Sequence, residues 1–101
     1  MAINKEVVVD QIEATRSGIV QVRFKKQLIE NGVALSYEYH RTSLQPGELL
    51  ADQMIAVNRH LVQMGWPQVS VPEIKRIQSI VDVEHTATVV AKFRAMTADA
   101  A

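Results

Sequence analysis

The stretch Val20-Gln21-Val22-Arg23-Phe24-Lys25-Lys26-Gln27-Leu28-Ile29-Glu30-Asn31-Gly32 decides the fold. Its even positions Val20, Val22, Phe24 and Leu28 are apolar, with Lys26 the exception, and its odd positions Gln21, Arg23, Lys25 and Gln27 are polar. A period of two is the mark of a strand with one buried and one wet face. Asn31-Gly32 then suits a type I′ hairpin turn, because both central residues of that turn need positive φ. Upstream, Arg16-Ser17-Gly18 marks another turn. The expectation is a three-stranded antiparallel meander over about Glu6–Ala14, Ile19–Ile29 and Val33–Leu44.

The turns also propose a register. A three-residue loop with Gly18 left-handed pairs Ala14 with Val20 and Ile12 with Val22, so that Val8, Ile12 and Ala14 join the even face. The two-residue turn at Asn31-Gly32 switches phase. Leu28 then meets Leu35, Lys26 meets Tyr37 and Phe24 meets Tyr39 on the inner face, while Lys25 meets Glu38 outside. In this register Val7 and Val9 face outward, opposite Gln27 and Lys25.

After Gln45-Pro46-Gly47 the period changes. Leu50, Met54, Val57, Leu61 and Met64 recur at spacings of four and three, which draws one apolar stripe along a helix. Glu48 and Asp52 sit early, where carboxylates favour the helix dipole, and Gly65 and Pro67 end the segment. Ser70-Val71-Pro72-Glu73 has the spacing of a capping box before the stripe Ile74, Ile77, Ile80 and Val81. Thr86 can cap a third short helix carrying Val89, Val90 and Phe93. The tail from Met96 has no anchoring pattern and is expected to fray. The fold class is α+β, a three-stranded antiparallel meander followed by two or three helices packed on one face. It forms one domain over 1–101, with the meander at about 6–44 and the helical part at about 48–96.

Composition narrows the function. The 101 residues contain no cysteine, which removes disulfides, thiolate zinc sites and cysteine nucleophiles. Eleven basic residues balance eleven acidic ones, without the basic excess with which a non-specific nucleic-acid binder neutralises phosphates. Met1-Ala2-Ile3-Asn4-Lys5-Glu6 has no apolar leader, and no run approaches a membrane span. Neither a nucleic-acid nor a membrane partner is expected.

Candidate chemical sites each meet a plainer explanation. Asp82-Val83-Glu84-His85 brings possible metal ligands together, but only Asp82 and His85 share a helix face. Strand alternation separates His40 from Ser43, which denies the hydroxyl a base. Tyr37 and Tyr39 with Phe24 could stack bases, yet in the register above they share the face that the helices cover. Gly47 and Gly65 belong to no phosphate loop. Met54 and Met64 read as core rather than as a methionine-rich groove. No catalytic, cofactor-binding or metal-binding residue emerges, and a non-enzymatic role is expected.

Asn31-Gly32-Val33-Ala34-Leu35-Ser36-Tyr37-Glu38-Tyr39-His40-Arg41, followed by Leu44-Gln45-Pro46-Gly47-Glu48, resembles small uncharacterised proteins encoded among the virion genes of tailed bacteriophages. Those proteins open with a strand similar to Val7-Val8-Val9-Asp10-Gln11-Ile12. They close with a segment similar to Val83-Glu84-His85-Thr86-Ala87-Thr88-Val89-Val90-Ala91-Lys92-Phe93. The middle helix, Leu49 to Trp66, is longer here, and Ala87 and Thr88 replace a usual proline and glutamate. The resemblance implies a phage origin and a structural or assembly role, with synthesis in the host cytoplasm and a final place in the virion. Other virion proteins or further copies of the chain are the implied partners. A small phage or bacterial regulator that inhibits a host protein is the alternative. Strand 1 offers the candidate interaction edge, since Val7, Val8 and Val9 lie on an outer strand with little to blunt it.

Overall fold

Strand β2 (Val20–Glu30) lies between β1 (Ile3–Ala14) and β3 (Val33–Leu44) in an antiparallel sheet of order β1-β2-β3. Helices α1 (Leu50–Gln63), α2 (Val71–Glu84) and α3 (Ala87–Ala100) follow. The structure, a computed structural model, describes residues 3–100, with side chains described through residue 97. It is the expected α+β meander with helices against the sheet. α3 runs through the tail to Ala100, with Met96 exposed, while Ala101 lies outside the described residues.

Both turns form as their sequences require. Gly18 has φ +93°, and Ala14 pairs with Val20 and Ile12 with Val22. Asn31 and Gly32 have φ of 52° and 78°, the positive pair of a two-residue hairpin turn. Beyond these anchors each outer strand contains a β-bulge. In β1 the register shifts between Val9 and Gln11, leaving Asp10 as the extra residue. In β3 Leu35 is the extra residue, since Ile29 pairs with Ala34 and Leu28 with Ser36. A bulge reverses which side chains face the core from that point on.

These bulges correct the expected register. Val9 lies opposite Phe24 and Val7 opposite Lys26, so both valines point inward and are only 6% exposed. Their physical reason is hydrophobic phase. The apolar set of β1 runs through Val7 and Val9 at odd positions and Ile12 at an even one. A straight strand would have to leave one set outside. In β3 the pairs are Lys26 with Glu38, Lys25 with Tyr39 and Phe24 with His40, replacing Lys26–Tyr37, Lys25–Glu38 and Phe24–Tyr39. Leu44 thereby reaches the core opposite Val20, and Tyr37 and Tyr39 turn to the outer face.

The inner face presents Val7, Val9, Val20, Val22, Phe24 and Leu44 to the helices. From α1 come Leu50, Met54, Val57 and Leu61, and from α2 Ile77 and Val81. Met64 is exposed at the end of α1, and Ile80 lies on the rim of the α2 stripe rather than within it. Ser70 occupies the N-cap of α2 without a side-chain capping bond, so the capping box is not formed. Thr86 does cap α3, where its Oγ1 accepts the Val89 amide at 3.2 Å.

Side-chain bonds tie the helices to the sheet. His85 Nε2 donates to the Gly18 carbonyl at 2.7 Å, holding the end of α2 on the β1–β2 turn. Gln53 donates to the Thr42 hydroxyl, linking α1 to β3. Asn58 accepts the Val69 amide at 2.8 Å and holds the α1–α2 connection. A Cβ at Gly18 would come within 2.5 Å of Val89, so this glycine serves close packing as well as the turn.

The molecule is long, 56 × 24 × 19 Å, with a radius of gyration of 15.8 Å. A spherical domain of this length would have about 13 Å.

The bulge in β1 is testable by deletion. Removing Asp10 restores straight alternation and turns Val7 and Val9 away from the helices. Losing burial of both is expected to cost about 3–6 kcal/mol. The substitution Asp10→Ala keeps the bulge and removes only an ion pair with Arg23, an effect of under about 1 kcal/mol. Thermal melts should therefore separate the two variants widely, and equal melting would argue against the bulge.

Candidate interaction surface

The outer face of the sheet is built by alternation from β2 outward. Gln21, Arg23, Lys25 and Gln27 project from the middle strand. From β3, Tyr37, Tyr39, Arg41 and Ser43 flank them, and from β1, Glu6, Val8, Gln11 and Glu13. Asp10 joins this face at the bulge and accepts from Arg23 Nε at 2.7 Å. Among the described residues, no helix covers this side.

Charge is unevenly spread across it. The β1 side carries Glu6, Asp10 and Glu13, and the β3 side carries Tyr37, Tyr39 and Arg41. Arg23 sits 4.4 Å from the Tyr39 ring and Arg41 5.8 Å from it, while Lys25 Nζ is 4.6 Å from the Tyr37 ring. The two tyrosine rings are 5.4 Å apart. Cations over ring faces are attracted by the ring quadrupole. Tyr37 is 56% exposed. A shallow concavity of about 480 Å³ is lined by Arg23 and Arg41 together with Glu13, Gln21 and Ser43.

The second feature is the hairpin end. There Val33 is 63% exposed and Leu35 53%, with Ile3 alongside on β1 and Leu28 and Ile29 half-buried. The covered half of the inner face ends at Trp66, which lies near two lysines. Lys5 donates to the Gly65 carbonyl at 2.8 Å and sits 5.7 Å from the indole, and Lys26, 5% exposed, sits 5.8 Å from it. Glu38 lies 3.6 Å from Lys26 and supplies the opposite charge.

The residues singled out in the sequence are scattered. Val7 and Val9 are core, so of the proposed edge triplet only Val8, half-buried opposite Lys25, is on the outer face. β1 remains an edge strand. His85 is bonded to Gly18, and Asp82 accepts from Gln78 at 2.7 Å, so these two side chains serve different neighbours. His40 points inward and Ser43 outward, as the alternation required. The tyrosine face escaped the sequence reading because the odd set Leu35, Tyr37 and Tyr39 looked like the apolar face of β3. Leu44, even and apolar, was the available signal that the phase changes along the strand.

His40 packs between the sheet and α1, with its ring 6.4 Å from Phe24 and 5.2 Å from His60. Burial, then the charges of His60 and Lys26, lowers its pKa below the usual histidine value of 6.5. Among the described residues, no helix is long and apolar enough to cross a membrane. Compared with models of known protein families, with curated proteins and with solved structures, the chain matches none.

The lowered pKa has a stability consequence of definite sign. Between the unfolded value of 6.5 and the lower folded value, the unfolded chain binds more protons. Stability is therefore fully present above pH 6.5 and declines as the pH falls through the folded pKa. Melting temperatures measured downward from pH 8 should fall across that window. His40→Phe should flatten the decline relative to the parent, and an unchanged slope would assign it to other groups.

Proposed function

We propose that this chain is a non-enzymatic protein–protein interaction module, a small structural or accessory component of a bacteriophage particle. The observation that supports the interaction role is the hairpin end, where Val33 and Leu35 stand exposed beyond the reach of the helices. An uncovered sheet end gains nothing from apolar residues in water, whereas a neighbouring protein that receives it would bury them. The long axis of 56 Å suits a piece that reaches into a neighbour. The phage setting rests on the resemblance carried by the run from Asn31 to Arg41 and by Leu44 to Glu48.

Mass spectrometry of purified particles tests this reading, with the chain expected at fixed stoichiometry. The double substitution Val33→Lys with Leu35→Lys places charge where a receiving surface would be apolar. The variant should keep its circular dichroism and lose incorporation by at least tenfold. Absence of the parent chain from particles, together with capture of one host protein, would replace the virion role with that of a regulator.

A further inference from the structure

The acidic and basic-aromatic sides of the outer face are complementary to each other, which makes the face complementary to a second copy of itself. We infer that the chain forms a two-fold dimer by stacking outer sheet face on outer sheet face, with the two-fold axis parallel to the strands. This inference concerns the purified chain and stands apart from any place in a particle.

The axis follows from geometry and charge. Rotation about a line parallel to the strands lays β1 of one copy over β3 of the other and keeps each residue at its own height along the sheet. The cross-strand rows Glu6–Gln27–Tyr37 and Val8–Lys25–Tyr39 then define the contacts. Glu6 meets the Tyr37 hydroxyl, which donates to it, and Val8 meets the Tyr39 ring. Asp10, at the bulge beside the Gln11–Arg23–Arg41 row, meets Arg41. Each contact occurs twice, as an isologous interface requires. Rotation about the other in-plane axis would instead lay the acidic strand on itself.

The middle strands run along the axis, where Arg23 and Lys25 would each approach their own copies. Both are engaged within their own copy. Arg23 is held between Asp10 of β1, an ion pair at 2.5 Å, and the Tyr39 ring of β3 at 4.4 Å, and Lys25 is drawn toward β3 by the Tyr37 ring. The area is adequate. A three-stranded face with strands about 4.8 Å apart and about 37 Å long offers roughly 500 Å² of plane per copy. Two copies thus bury about 1,000 Å² or more, which reaches the threshold for a specific interface. Aligned sheets stack about 10 Å apart, within reach of paired tyrosine and carboxylate side chains.

Sedimentation velocity on the purified chain tests the inference, supported by a charge swap. The parent should sediment at twice its 11.3 kDa mass at micromolar concentration. Tyr37→Glu sets like charges against the partner's Glu6 and should shift the chain to monomer, with at least a tenfold rise in dissociation constant. Glu6→Lys combined with Tyr37→Glu reverses both sides and should restore the dimer. Circular dichroism checks that each variant is folded, and Arg41→Glu provides a second monomerising change if one does not fold. A monomeric parent overturns the inference, as does a dimer that persists in both single variants or a swap that fails to restore association. A monomeric parent that instead binds single-stranded DNA, with binding lost in Tyr39→Ser, would assign the face to nucleic acid and overturn the dimer equally.

Discussion

The structure depends on reconciling one strictly alternating strand with two neighbours that are not. β2 keeps its apolar residues on even positions through Val20, Val22 and Phe24. β1 and β3 each carry apolar residues in both phases, and each absorbs the conflict with one extra residue, Asp10 or Leu35. Because sheet side chains alternate with period two, each bulge exchanges inside for outside along the rest of its strand. In β1 this sends Val7 and Val9 into the core. In β3 it brings Leu44 inward and turns Tyr37 and Tyr39 out. The apolar floor on which α1 and α2 rest and the charged face opposite it therefore have one cause.

Much of the fold was legible because its signals are local. Asn31-Gly32 and Gly18 specify turns through backbone conformation alone, and the α1 stripe Leu50, Met54, Val57 and Leu61 is a clean helical period. The register was legible only near those turns. A bulge is a compromise between a strand's own pattern and its partner's, and no single residue type announces it. Asp10 is polar and Leu35 apolar, yet they do the same job. The candidate surface was correspondingly misread, since a one-residue slip moves a tyrosine from core to solvent without changing its neighbours in sequence.

Several ties between the helical layer and the sheet gather near the β1–β2 turn. His85 reaches the Gly18 carbonyl, Val89 packs against the same glycine, and Gln53 reaches Thr42. His85 shows how a residue that suggests a metal ligand in sequence can serve as a clamp between distant segments. Its bond spans 67 positions and closes the chain from the first turn to the end of α2.

The boundary at Trp66, Lys5 and Lys26 divides the sheet into two thermal regimes. On one side, Phe24 of β2, Leu61 of α1 and Ile77 of α2 are fully enclosed, and backbone amides there are expected to exchange with solvent only when the whole domain opens. On the other, the pairs from Leu28 to Ser36, flanked by Ile3, Asn4 and Lys5 of β1, are held by strand hydrogen bonds among half-buried and exposed side chains. A sheet segment with few buried apolar contacts opens locally at low cost. The end of the hairpin can thus fray and re-form while the helical half stays folded. Any protein that receives it would order a segment already close to its bound shape, without drawing on the stability of the core.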